Sequence, residues 1–232
     1  MTKTNAIYLK DLQFSYGKNI ILSIPELSVP IGESLFLYGP SGSGKSTLLN
    51  LLLGVHLPQT GLLEIMGHNL SLLSTSERDH LRGEKMGAIF QSFNLIPFLT
   101  VEENILLPLK INARRKVRVK DLKGELELLL EHLKLAPLRK EKAQSLSVGQ
   151  QQRVAAARSL IGSPEVIIAD EPTSALDYDH KEAFIELLMK EKERTGATLV
   201  FVSHDQNLKK LFSREIDLTC LNQVIKKHEV WS

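Results

Sequence analysis

The sequence has one cysteine in 232 residues, Cys220, so it cannot build a disulfide framework. That points to a reducing compartment. Cys220 lies in an apolar stretch and is expected to pack as a small core side chain. The N-terminus, MTKTNAIYLKDLQF, alternates apolar and polar residues and lacks the apolar block and cleavage site of a secretory signal. No apolar run reaches the ~18–20 residues that a membrane span needs. The chain is therefore expected to be soluble, with any membrane span supplied by another chain. Charge is nearly balanced, with 29 basic and 27 acidic residues and a net charge of +2. Bulk electrostatics give no case for nucleic-acid binding. Repeats and low-complexity tracts are also missing. A hydrophobic fraction of 43% is present, enough to fill the core of one large domain.

Strands are expected at Ile7–Phe14 and Ile20–Ile24, at Ser34–Tyr38, and at Leu62–Met66 and Met86–Phe90. Helices are expected at Lys45–Leu53, at Thr100–Ile111 and at Val119–Leu135. Thr100 and Glu103 have the spacing of a capping box. The second half alternates a helix after Leu146, a strand at Val166–Ala169, a helix at His180–Arg194 and a strand at Thr198–Val202. That alternation predicts a parallel sheet. "VIIAD" and "TLVFVS" are apolar runs with polar ends, as expected of central strands whose carboxyl ends open into a site.

Three segments carry chemistry. "GPSGSGKST", Gly39–Thr47, satisfies G-x-x-x-x-G-K-[ST] between a strand and a helix. Backbone N–H groups in such a loop, together with a helix N-terminus, cradle phosphate. The segment comprises Gly39, Pro40, Ser41, Gly42, Ser43, Gly44, Lys45, Ser46 and Thr47. Lys45 is placed to reach the β- and γ-phosphates, and the Ser46 hydroxyl to bind Mg²⁺. Asp170 ends a buried strand, where a carboxylate can hold Mg²⁺, and Glu171 beside it can deprotonate water. "LSVGQ", Leu146–Gln150, is a small turn opening a helix.

These motifs, in this order, resemble the ATPase subunit of an ATP-binding cassette (ABC) transporter over essentially the whole chain. The resemblance implies an α/β fold. It has a P-loop NTPase core with a mostly parallel sheet, an N-terminal antiparallel β part and an inserted α-helical subdomain. Residues 1–90 and 160–232 would form the core and 91–159 the helical subdomain of a single ATPase domain. "LSVGQ" is similar to the family's LSGGQ signature, with Val148 departing. Ser147, Gly149 and Gln150 would then meet ATP bound to a second copy, making a nucleotide-sandwich homodimer. Tyr16 in "FSYG" resembles the aromatic that stacks on adenine. Gln91 in "IFQSF" resembles the Q-loop glutamine near Mg²⁺ and water. Ser174–Asp177, "SALD", resembles the D-loop, and His204 in "FVSHD" the switch histidine at the γ-phosphate. Catalysis would rest on Glu171, His204 and Gln91, with Mg²⁺ on Ser46, Gln91 and Asp170.

"QSFNLIPFLTVEENILLPL" further resembles the lipoprotein-releasing and macrolide-export subgroup. That resemblance implies a membrane-spanning permease docked near Ser92–Leu99, with the chain peripheral on the cytoplasmic face of the inner membrane. A regulatory motor controlling an extracytoplasmic enzyme through a membrane partner remains open. A soluble repair or translation cassette would need a coiled-coil insertion or a second cassette, and this chain has neither. The basic run Lys110–Lys120 carries no interleaved aromatic, so it reads as a solvated connection between helices or a surface near anionic lipid, rather than a nucleic-acid site. The C-terminal "CLNQVIKKHEVWS" departs from the Asp-Gly hairpin common in relatives.

Overall fold

The computed structural model describes residues 4–174 and 178–224. The chain divides into two compact units, residues 1–82 with 198–232, and residues 83–197. Its elements run β1 (Asn5–Tyr16), β2 (Asn19–Pro30), β3 (Ser34–Tyr38), α1 (Lys45–Leu52), β4 (Thr60–Ile65), β5 (His68–Asn69) and α2 (Thr75–Lys85). Then follow β6 (Met86–Ile89), α3 (Val101–Ile111), α4 (Ala113–Arg118), α5 (Leu122–His132), α6 (Val148–Leu160), β7 (Val166–Asp170) and α7 (Tyr178–Thr195). The chain closes with β8 (Thr198–Val202), β9 (Arg214–Asp217) and α8 (Leu218–Leu221). Antiparallel N-terminal strands, parallel strands and helices together make the α/β P-loop fold that the motifs imply.

In the first unit, β2, β1, β4 and β5 form an antiparallel sheet in that order. Alternate residues point inward, so Ile7, Leu9 and Leu12 of β1 and Leu22 and Ile24 of β2 are buried. A second layer runs β8–β3–β9, all parallel, with Leu35 opposite Val200 and Leu37 opposite Val202. Both β3 and β8 are buried on both faces, which explains their unbroken apolar runs. Loops at the carboxyl ends of such strands gather functional side chains.

In the second unit, β6 and β7 pair in parallel, with Ile89 opposite Ala169. α3 packs on α6, whose buried alanines Ala155, Ala156 and Ala157 allow close approach. Thr100 caps α3 with the expected reciprocal box to Glu103.

Three expectations change. The segment Val119–Leu135 is not one helix. The chain stays extended at Val119, and α5 starts only after Asp121, whose side chain accepts from the Gly124 N–H. The basic run is not merely a solvated connection. Its middle forms α4, capped by Asn112, and Arg115 within it is 2% exposed. The Arg115 guanidinium donates to the carbonyls of Ile161 (2.8 Å), Met86 (2.8 Å) and Ser159 (2.7 Å). Ser159 and Ile161 lie at the end of α6, where carbonyls lack helical partners and the helix dipole is negative. Burial lowers the Arg115 pKa to about 10, with the Arg118 charge adding to the effect, so it stays cationic near neutrality. Third, Cys220 is exposed on α8 rather than in the core.

Arg115→Met is expected to leave those buried carbonyls without a donor and to cost about 3 kcal/mol or more. Chemical denaturation checks this; a midpoint unchanged from wild type would show that the bonds add no net stability.

Candidate nucleotide site

The phosphate-binding segment lies between β3 and α1. Gly42 and Gly44 adopt φ of 81° and 96°, backbone that a side chain would strain. A Cβ at Gly44 would also sit 2.7 Å from Leu22 Cδ2, so this turn is pressed against β2. Gly44 is the N-cap of α1 and supplies no side-chain cap, leaving the first N–H groups of the helix for another acceptor. The Lys45 ammonium donates to the carbonyls of Gly39 (2.8 Å) and Pro40 (2.9 Å) and so lies back across the loop. Ser41, Gly42 and Ser46 are exposed, while Lys45 and Thr47 are half-buried.

Two further predicted residues belong to this unit. His204 follows β8 and is exposed. The Ser203 N–H donates to the Leu37 carbonyl (3.2 Å), so the chain just before His204 and the chain just before Gly39 leave the same sheet edge side by side. Tyr16 sits at the end of β1, opposite Asn19 across the turn at Gly17 and Lys18. It is 49% exposed, with its ring edge-on to Phe14 and His56 at 5.0 and 5.9 Å between centroids. A core aromatic would be covered; this one leaves much of its surface for stacking. Gln59 holds the strand below it by exchanging two hydrogen bonds with the Ser15 backbone, at 2.8 and 2.9 Å.

The second unit gathers another set. Gln91 follows β6, while Asp170 ends β7 and Glu171 follows it. Because β6 and β7 run parallel with Ile89 opposite Ala169, all three leave one sheet edge together. Glu171 has φ of 46°, uncommon for a residue with a side chain. Such outliers cluster where function dictates the direction of a side chain. Nothing in the local sequence signals it.

Ser147 and Gly149 stand on a different element of that unit, the start of α6. The Ser147 hydroxyl accepts from the Gln150 N–H (3.4 Å), and the Gln150 side chain accepts from the Ser147 N–H (2.8 Å). Gln150 is thus the reciprocal half of a capping box, a role legible in its three-residue spacing from Ser147. Val148, the departure from LSGGQ, is 47% exposed. Of the D-loop, Ser174 is described, while Ala175–Asp177 lie outside the described residues.

The segment after Gln91 divides in a way its apolar composition does not reveal. Phe93 is buried at 7% exposure, whereas Phe98 is 67% exposed. Phe93 turns inward through a backbone of φ 58°. Two side chains that the motif reading passed over hold this loop. Arg158 of α6 donates to the carbonyls of Phe93 (2.5 Å) and Asn94 (2.6 Å). Asn104 of α3, fully buried, accepts from the Ile96 N–H (2.9 Å) and donates to the Ile96 carbonyl (3.1 Å). An asparagine facing inward on a helix of otherwise apolar inward positions was the available signal.

Among the described residues no group of three His, Cys, Asp or Glu side chains could hold a metal ion alone. Each unit carries oxygen donors of the kind Mg²⁺ takes, the Ser46 hydroxyl in the first and the Gln91 and Asp170 side chains in the second, and Mg²⁺ keeps waters and phosphate oxygens rather than an all-protein cage. No described helix is long and apolar enough to cross a membrane.

Known proteins bear on this arrangement. The profile of the ABC transporter family matches residues 22–174. An uncharacterized ABC transporter ATP-binding protein of Methanocaldococcus jannaschii, MJ0796, is 40% identical, over 91% of this chain and 92% of its own. The lipoprotein-releasing system ATP-binding protein LolD of Bacteroides fragilis is 35% identical, over 91% and 97%. The macrolide export ATP-binding/permease protein MacB of Campylobacter jejuni is 38% identical over 91% of this chain, which spans 32% of that longer protein. A dimeric structure of MJ0796 described as a post-hydrolysis state bound to ADP and Pi superposes with a TM-score of 0.77 at 39% identity, covering 91% of this chain and 93% of that one. The glycine-built phosphate loop, the acidic strand end and the capped signature helix accord with these likenesses: the chain belongs to the ABC transporter family and is one of its ATPase cassettes.

Proposed function

We propose that this cassette works as a homodimer around two ATP molecules and drives a separate membrane-spanning permease from the cytoplasmic face of the inner membrane. The observation that carries this is the phosphate loop: two glycines at positive φ, an uncapped helix N-terminus and Lys45 folded back over the turn. Tyr16 stacks on the adenine. The N–H groups of Gly39–Thr47 and the Lys45 ammonium bind the phosphates. Ser46 and Asp170, with Gln91, would hold Mg²⁺, which supplies positive charge against the phosphate oxygens. Glu171 takes a proton from the attacking water, and His204 donates to the γ-phosphate. Ser147, Gly149 and Gln150 present the start of α6 to the γ-phosphate held by the second copy. The dimeric MJ0796 structures support that arrangement, as do the lipoprotein-releasing and macrolide-export names among the relatives.

The permease docks on Ser92–Leu99, chiefly through Phe98. Arg158 and Asn104 give the loop a mechanical connection, since they tie it to α6 and α3. Movement of the signature helix is therefore transmitted to the docking loop by hydrogen bonds rather than by slack chain. Phe98→Ala is expected to weaken partner assembly by about tenfold while leaving thermal stability unchanged. Phe93→Ala is expected to cost ~3–5 kcal/mol of stability instead. Co-purification from detergent-solubilised membranes, beside thermal unfolding of the isolated cassette, separates the two. Undiminished partner recovery with Phe98→Ala would rule out this docking surface.

A further inference from the structure

The atypical C-terminal segment contains Asn222, which is fully buried. Three of its partners, Ser23, Ile21 and Ser43, lie 199, 201 and 179 residues away in the chain. Its side-chain amide pairs with the β2 backbone as a neighbouring strand would. The carbonyl oxygen accepts from the Ser23 N–H at 2.9 Å, and the amide nitrogen donates to the Ile21 carbonyl at 2.8 Å. The same nitrogen donates to the carbonyl of Ser43, in the phosphate loop, at 3.4 Å. The carbonyl oxygen also accepts from the Val224 N–H at 3.3 Å, and the Asn222 backbone N–H donates to Leu218 at the start of α8 at 2.8 Å. One amide thus joins the C-terminal segment, the β2 edge and the phosphate loop, all in one compact unit.

We infer that Asn222 is a positioning residue for the nucleotide phosphates, acting through the Ser43–Gly44 peptide. That peptide is planar and trans, so its C=O and N–H point in opposite directions. Fixing the Ser43 carbonyl toward Asn222 aims the Gly44 N–H the other way. Gly44, at φ 96°, has no Cβ, so its backbone can turn over more readily than that of a residue with a side chain. The bond to Ser43 removes that freedom before nucleotide arrives. Preorganised N–H donors bind an anion better than donors that must first be oriented. The choice of asparagine follows, because it alone offers a donor to Ile21 and Ser43 and an acceptor for Ser23 from one short side chain.

The inference rests on ATP binding at this loop, and the experiment keeps the two apart. A fluorescent ATP analogue is titrated into wild type, Lys45→Ala, Asn222→Ala, Asn222→Asp and Leu27→Ala, each full length and folded by circular dichroism. Leu27 is a buried residue of the same strand with no part in the loop, so its truncation reports destabilisation of β2 alone. Asn222→Asp keeps the shape and the acceptor for Ser23 but loses the donors, and it serves if Asn222→Ala does not accumulate folded. Both Asn222 variants are expected to raise Kd by about tenfold, with Leu27→Ala lowering Tm and leaving Kd at the wild-type value. An Asn222 Kd equal to wild type per folded molecule, with only Tm reduced, would overturn the inference. Wild type binding no better than Lys45→Ala would instead overturn ATP binding at this loop, and the inference with it.

Discussion

Glu171→Gln is expected to bind ATP with wild-type affinity while hydrolysing it ~10²–10⁴-fold more slowly, the usual loss when a general base is removed. The amide keeps the size and hydrogen-bonding reach of the carboxylate but cannot take a proton from water. Glu171 is also one residue past the end of β7, at φ 46°. That backbone turns it out of the alternation that a continuing strand would impose. Replacing it by glutamine should leave the backbone unchanged, so folding is expected to be unaffected. A second consequence follows if the dimer closes on ATP and opens on hydrolysis: the variant should accumulate as an ATP-bound dimer. Single-turnover hydrolysis and size-exclusion chromatography with ATP measure both. Hydrolysis at the wild-type rate, with the membrane partner present, would remove Glu171 from the role.

Mixing two defective chains is expected to restore what neither has alone. Lys45→Ala removes the cation of the phosphate loop, and Ser147→Arg blocks the start of α6. Each homodimer then lacks one half of both sites and should lose ATP binding in the closed dimer by at least about tenfold, the value of one charge-assisted contact. In the mixed dimer the two defects fall on the same composite site, leaving the other free of both. ATP retention by the mixture, measured with differently tagged chains, should therefore exceed that of either homodimer. The reason to expect this lies in the elements. Lys45 opens α1 in one compact unit, and Ser147 caps α6 in the other, so the two residues stand at the starts of different helices. Ser147→Arg also loses the capping box, which costs ~1 kcal/mol, so a Ser147→Ala chain is the control for stability. If the mixture binds no better than the homodimers, the arrangement in trans is wrong.

Local sequence settled the parts of this protein governed by local physics. Glycines at 42 and 44 suit the positive φ that the chain adopts there, and Lys45 follows them into a helix, so that loop could be read directly. The Thr100 box depends on a partner three residues away and was read directly; the Ser147 box has the same spacing but was established only by the structure. β8 was read from its apolar run to the residue, and β3 likewise, because strands buried on both faces must be apolar throughout. Tertiary structure decided the rest, because the deciding partner is distant in the chain. Arg115 looked like one cation in a solvated run until the end of α6 supplied carbonyls more than forty residues away. Phe93 and Phe98 have the same side chain in one short apolar segment, yet one is buried and the other exposed; Phe93 turns inward at φ 58°, with its carbonyl held by Arg158 of α6, 65 residues away. Asn222 fell in a segment notable only for departing from its relatives. Its side chain completes a strand edge whose open hydrogen bonds exist only once β2 and the phosphate loop are folded, and no spacing along the chain can encode that.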